Sequence, residues 1–285
     1  MTLDQWLCCL EPPALALALE MQRSSRSRGR QQVIIAAESS CLCGKCGNCI
    51  IHNRSICRAA SPEALVQLNR ISHLRTYPRG SVIQAQGEHC DIVGNVVDGV
   101  VKLSSASVHG DDHIVGLLFP SDFFGRLFSE ETRFSYEAAT DVTLCAMSKH
   151  QFERFLTDYP AIEHEMHKAK LDELDAVREW AAITNGHTTM QRIATLLYVF
   201  SRRTKNQHLR GDTLASQIVH IPLSRRDIAD YLGTTPETLS RNIQTLARAK
   251  VIRNINAKHF ELLNPAELIR QSGETRADLD RIATA

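Results

Sequence analysis

Residues 223–253 read LSRRDIADYLGTTPETLSRNIQTLARAKVIR. Their spacing predicts two helices across a tight turn. Ser224 can cap a short first helix whose Ile228, Ala229 and Leu232 face inward. Gly233 suits the turn. Thr235 can cap the next helix, with Pro236 at its first position. Leu239, Ile243 and Leu246 then recur at helical spacing and form a buried stripe. This is helix–turn–helix spacing. Beyond it, Val251–Ile255 and His259–Leu263 flank Asn256–Ala257–Lys258, which reads as a β-hairpin wing. Opposite the buried stripe, Glu237, Ser240 and Arg241 share one exposed face. Such a face meets base edges in the major groove. Arg can donate twice to guanine O6 and N7, Glu can accept from cytosine N4, and Ser suits either partner type. Thr235 and Thr238, on the same first turn, complete the expected DNA-facing set. The competing reading is that Glu237 and Arg241 form a surface ion pair worth about 0.3–0.5 kcal/mol.

Charge supports the nucleic-acid reading locally. The whole chain of 285 residues carries a net charge of only +1. Residues 186–260 hold twelve Lys/Arg against four Asp/Glu, the footprint expected of a nucleic-acid-binding domain. With 43% hydrophobic residues the chain has enough apolar material for a core, and its length suggests about two domains. No apolar run reaches the ~18 residues of a membrane span. The stretch Pro13 to Leu19 is short, follows no basic region and ends at Glu20, unlike a secretory signal. A cytoplasmic protein without a membrane partner is the expectation.

Upstream, from about His73 to Met147, short β runs are broken by Gly80, Gly87, Gly94, Gly99, Gly110 and Gly125. That pattern predicts a small barrel or jelly roll. Lys149 opens a helical region broken at Pro160. A helix of about 25 residues, ~38 Å long, should then run to Ile183. One seam, with Ile162, Met166, Ala169, Ala176 and Trp180, should face its own domain. Another, starting at His167 and carrying Leu171, Leu174, Val177 and Ala181, should face a second copy. The expected organisation is a disordered leader (1–40), a cysteine-rich segment (41–60) and a β-roll (61–158). A dimerisation helix (159–185), a winged helix–turn–helix (186–264) and a flexible tail (265–285) follow. The fold class is α+β.

A β-roll, a long helix and a C-terminal winged helix–turn–helix carrying E-T-L-S-R from Glu237 to Arg241 closely resemble the CRP/FNR family of bacterial transcription regulators, over roughly residues 46–263. The resemblance implies a cyclic-nucleotide-binding-like roll and a homodimer. It also implies a double-stranded DNA site similar to TTGAT–N4–ATCAA and a contact with RNA polymerase. The loop Ser104–Asp112 is a candidate for that contact. Recognition helices of such a dimer would lie ~34 Å apart. Cyclic-nucleotide-binding relatives use a Gly-Glu pair for the ribose and an Arg-Ser pair for the phosphate. Here the matching stretches are Phe124–Gly125–Arg126–Leu127 and Phe134–Ser135–Tyr136–Glu137–Ala138. A buried phosphate would lack its cation, so no cyclic nucleotide is expected.

Nine cysteines, five of them between residues 41 and 57, argue for a metal site rather than a disulfide framework. Thiolates suit Zn or iron–sulfur clusters. A Zn site usually adds a second spaced pair or His ligands, and His52 could join. Haem attachment through C-x-x-C-H is excluded because Ile50 follows Cys49. Cys46-x2-Cys49-x7-Cys57 resembles the N-terminal spacing of alphaproteobacterial FNR-type regulators. That family takes its fourth ligand from a segment similar to Ala139–Cys145. The resemblance implies an oxygen-labile 4Fe-4S cluster on Cys46, Cys49, Cys57 and Cys145, with Cys41 and Cys43 as possible substitutes. It implies an oxygen-responsive regulator, mainly an activator, of anaerobic or microaerobic genes, nitrogen fixation among them. The runner-up is a cluster-free or Zn-binding thiol-redox regulator of the same fold. A cysteine-cluster redox enzyme is discouraged, because no nucleophile–base constellation accompanies the thiols.

Overall fold

The computed structural model describes residues 46–106, 112–207 and 218–284. The expectations for the leader, for Cys41 and Cys43 and for the tip of the Ser104–Asp112 loop lie outside the described residues.

The described chain opens with two 3-10 turns, His52–Arg54 and Ile56–Ala59, and helix α1 (Pro62–Ile71). Ser61 caps α1 by accepting from the Ala64 amide at 3.2 Å, and Pro62 fills its first position. Eight strands follow: β1 (Ser72–Tyr77), β2 (Val82–Gln84), β3 (Ile92–Asp98), β4 (Val101–Ala106), β5 (Asp112–Leu118), β6 (Phe123–Phe124), β7 (Ser135–Ala138) and β8 (Val142–Ser148). They form two antiparallel sheets, β1-β8-β3-β6 and β2-β7-β4-β5. Val96, Val101, Leu118, Phe124, Tyr136 and Leu144 fill the space between them. This is the β-roll.

Side-chain alternation gives β8 two roles. Val142, Leu144 and Ala146 belong to the roll core. Met147, on the opposite face, belongs to a second core with Cys46, Ile56, Leu65, Val93 and Phe152. The N-terminal segment and α1 therefore cover the outside of the β1-β8-β3-β6 sheet. Helix α2 (Lys149–Asp158) closes this second core.

Helix α3 runs from Pro160 to Gly186, 27 residues. Its buried residues are Ile162, Met166 and Ile183 alone, so its middle turns stand clear of their own subunit. The inner seam differs from the sequence expectation there: Ala169 is exposed, and Ala176 and Trp180 are half-buried. Leu171 (63% exposed), Leu174 (42%) and Val177 (55%) are bare, as is Ala181.

The C-terminal region comprises α4 (Thr189–Gln207), β9 (Ile218–His220), α5 (Arg225–Tyr231), α6 (Pro236–Arg248), β10 (Ile252–Asn254), β11 (His259–Leu262), α7 (Pro265–Ser272) and α8 (Arg276–Thr284). The wing is the antiparallel sheet β10-β11-β9. Its core includes Ile193, Leu197, Ile228, Leu239, Ile243 and Phe260, and it extends to Val100 and Phe119 of the roll. Polar contacts reinforce the seam. Asp230 of α5 accepts from the Ile114 amide at 2.7 Å and pairs with His113 Nδ1 at 3.0 Å. Arg203 of α4 pairs with Asp122 at 3.5 Å and lies over the Phe119 ring. Burial pushes the Asp122 carboxyl up to about 6, against the pull of Arg203.

The expected flexible tail is instead α7 and α8. Leu268 and Leu279 are both 0% exposed and join the core of the DNA-binding region. Asn264 caps α7 by accepting from the Glu267 amide, and Gly273 ends it in the left-handed region. Polar residues dominate the outer faces, so composition alone reads as a flexible tail. Leu279→Ala should cost about 2–5 kcal/mol. Urea denaturation of the two proteins measures this, and a loss near zero would return the tail to a passive role.

Candidate nucleic-acid interface and thiol site

The helix–turn–helix is built by local capping. Ser224 accepts from the Asp227 amide at 3.0 Å, while Asp227 accepts from the Ser224 amide at 3.1 Å. This reciprocal pair is a capping box that starts α5. Gly233 takes φ +60 in the turn, a conformation that strains other residues. Thr235 then accepts from the Thr238 amide at 3.2 Å, and Pro236 opens α6. Leu239, Ile243 and Leu246 are buried. Glu237 and Arg241 are exposed and Ser240 is half-exposed. Among the described residues no ion pair engages Glu237 or Arg241, so the surface-pair alternative finds no support. The Thr235 and Thr238 hydroxyls also meet each other, at 3.1 Å, within the cap. Their first task is to hold the start of α6.

The thiol site lies on the outer face of β8. Cys145 is paired in register with Leu74 of β1 on one side and Asn95 of β3 on the other. Cys46 is buried and its sulfur lies 3.8 Å from Ser72 Oγ. Asn95 Nδ2 donates to Cys57 Sγ at 3.9 Å. The neighbouring thiols are felt at Cys57 and at Cys145. Burial pushes the Cys57 thiol up to about 11, Ser55 opposes this, and Cys46 and Cys49 add to it. Burial likewise pushes Cys145 up to about 12; Cys46, Cys57 and Cys49 raise it further, while Ser72 lowers it. The structure thus brings together Cys46, Cys49, Cys57 and Cys145. Among the described residues, no group of three or more His, Cys, Asp or Glu is already arranged as a metal-ion site. His52 Nδ1 and Asn95 Oδ1 are buried atoms without a hydrogen-bond partner beside these elements. Cys90 stands apart: it is a buried core residue whose sulfur donates to the Arg126 carbonyl at 3.1 Å.

Sequence reasoning missed one link. Arg58, next to Cys57, forms an ion pair with Glu165 of α3. The turn Ile56–Ala59 packs against that helix. A basic residue beside a ligand candidate was visible, but nothing local marked Glu165 as its partner.

A capped helix–turn–helix with a wing, fused to a β-roll through a long helix, defines a DNA-binding transcription regulator. Residues 191–271 match the Crp-like helix-turn-helix domain and residues 74–159 the cyclic nucleotide-binding domain. The chain is 34% identical over 230 residues to the transcriptional activator protein FnrL of Cereibacter sphaeroides, covering 81% of this chain and 92% of that protein. It is 29% identical over 223 residues to the nitrogen fixation regulation protein FixK of Bradyrhizobium diazoefficiens, covering 78% and 92%. The solved structure of FixK2 from Bradyrhizobium japonicum shares the fold, with a TM-score of 0.64 at 24% identity, over 72% of this chain and 99% of that one. The chain belongs to the CRP/FNR family of transcription regulators, in its FNR/FixK branch. Members bind DNA and act as dimers, and they are not enzymes. No helix among the described residues is long and apolar enough to cross a membrane.

One glycine guards the thiol site. A Cβ on Gly94 would stand 1.9 Å from the Cys145 carbonyl oxygen, so β3 and β8 would have to separate. Gly94→Ala should cost at least about 1–3 kcal/mol, read from urea denaturation. An unchanged midpoint would mean that the strands tolerate the methyl group.

Proposed function

We propose that this regulator is an oxygen-responsive transcription activator. On this reading it binds DNA as a dimer when an iron–sulfur cluster is held by Cys46, Cys49, Cys57 and Cys145. The observation that carries the reading is the position of Cys145. It comes from a strand far along the chain, yet it shares its surroundings with the three N-terminal thiols. The donor set is four cysteine thiols, the usual ligand set of a 4Fe-4S cluster. Burial and neighbouring thiols disfavour bare thiolates at Cys57 and Cys145, a cost that a cationic core would offset. When bound, a 4Fe-4S cluster supplies a redox state that oxygen can change.

The protein's own contribution is mechanical. Cys57 sits on the turn that packs against α3, and Arg58 pairs with Glu165 of that helix. Order in the cysteine segment is thereby passed to the helix that carries Leu171, Leu174, Val177 and Ala181. We assign that bare stripe to the dimer contact, because apolar side chains at this spacing seek a partner helix. A dimer engages two half-sites together, so a modest gain in dimerisation becomes a large gain in occupancy. Swinging the balance from 1:99 to 99:1 takes about 5.5 kcal/mol.

On the DNA, Glu237, Ser240 and Arg241 read bases in a palindrome similar to TTGAT–N4–ATCAA, while Thr235 and Thr238 position the helix. The relative named as a nitrogen fixation regulator suggests genes of that kind as targets. RNA polymerase is the further partner of an activator, with the Ser104–Asp112 loop as the proposed contact. Arg126 in place of an acid, and Tyr136 and Glu137 in place of the phosphate donors, favour a sensor that takes no cyclic nucleotide.

Protein purified without oxygen should carry iron and sulfide and show a broad visible absorption that air bleaches. Cys145→Ser should lose the iron while keeping a cooperative melt. A colourless, iron-free wild type that still dimerises and grips the operator would overturn the reading, and one zinc per chain would favour the thiol-redox alternative. Arg241→Ala should lose about 1–3 kcal/mol of discrimination at one base position. Its salt-sensitive, non-specific binding should persist. Competition assays with singly substituted operators measure the difference; retained discrimination would remove Arg241 from the reading face.

A further inference from the structure

Helices α3 and α4 meet at residues 187 and 188, and several contacts cross this junction. Arg192, on the first turn of α4, donates from Nε to the His187 carbonyl at 3.0 Å and from Nη1 to the Leu232 carbonyl at 2.7 Å. Leu232 ends α5, immediately before the turn that sets the direction of α6. The amides of Gly233 and Thr234 serve the carbonyls of Asp230 and Ala229, and the guanidinium takes that of Leu232. A cation at a helix C-terminus is favoured there by the helix dipole.

A second contact bypasses α4. Trp180 of α3 stacks on Tyr231, the last residue of α5, with ring centroids 5.0 Å apart and planes at 15°. From the other side, α8 spans the same junction. Arg281 pairs with Glu179 at 3.4 Å, Glu274 with His187 at 3.3 Å, and Ile282 and Ala283 pack with Ile183 and Val199. Long helix, junction and helix–turn–helix turn are thus held as one body.

We propose that Arg192, with the Trp180–Tyr231 stack, is a positioning element for operator spacing. It fixes the recognition helix α6 to the long helix, so that the dimer accepts one separation of half-sites. The proposal rests on the reading of this protein as a dimer on a palindrome. Recognition helices of such dimers must sit about one DNA turn, ~34 Å, apart. Changing the spacer by one base pair shifts and rotates one half-site against the other. A splinted junction cannot follow; a loose one can, at the expense of the effective concentration that joins the two contacts. Arginine suits this task because its rigid fork serves two carbonyls at once, which a lysine point charge cannot do.

The test uses the full-length protein, prepared without oxygen, and operators with identical half-sites whose spacer is lengthened or shortened by one or two base pairs. The wild type should prefer one spacer by about tenfold or more. Arg192→Ala should flatten the profile to within about threefold. Its preference for the correct bases within each half-site should stay as in the wild type. Arg192→Lys should fall between them. Trp180→Leu, which removes the stack without touching Arg192, should flatten the profile as well and replaces Arg192→Ala if that protein does not fold. A variant profile as sharp as the wild type's overturns the splint, even when binding is uniformly weaker. A wild type that binds an isolated half-site as tightly as the palindrome overturns the dimer reading and the splint with it.

Discussion

Strand β8 lies inside its sheet, between β1 and β3, and both of its faces are covered. One face closes the roll through Val142, Leu144 and Ala146. The other receives the N-terminal segment, whose Ile56 packs in the same core as Met147 and Phe152. Burying such an aliphatic side chain contributes about 1.5–3 kcal/mol. Without that apolar outer face the cysteine segment would have nothing to dock on, and Cys145 would look into solvent. The thiol site follows from a strand that is packed on both sides.

The same docking explains how the site reaches the rest of the molecule. The segment that covers β8 also touches α3, through the turn Ile56–Ala59 and the Arg58–Glu165 pair. Helix α3 is anchored at its two ends, by Ile162 and Met166 near the start and Ile183 near the finish. Its middle has no buried residue, and there the apolar stripe is bare. A rod held at both ends and free between them suits a partner helix. Trp180 at its far end and Arg192 of α4 hold the end of α5, just before the turn into the recognition helix, and the roll shares a core with that region through Val100 and Phe119. Such a subunit leaves little room for its DNA-binding region to swing alone.

Much of the DNA-binding face could be read from residues 223–253, because its determinants are local. Caps at Ser224 and Thr235, a glycine turn and an i, i+3, i+4 face act within a few residues of one another. Cys46, Cys49 and Cys57 stood out by crowding alone. Cys145 entered through a family resemblance, since nothing in its own segment marks it as a ligand. The C-terminal helices were misjudged, although Leu279, Ile282 and Ala283 do stand at helical spacing. Their polar neighbours masked a stripe whose counterpart lies on α3 and α4. The link from Arg58 to Glu165 and the fork of Arg192 had no local signal, since each depends on a partner brought near only by folding.

By itself, the sequence determined what short-range chemistry can encode: helix caps, the reading face of α6, the basic character of its region and the supply of thiols. Tertiary structure decided which groups share a space. It set Cys145 among the other sulfurs, left the middle of α3 uncovered and drew α8 across the junction. The physical reason is range. Capping and periodicity act over one or two turns of chain, whereas docking a segment on a sheet face depends on surfaces that exist only once distant strands have paired.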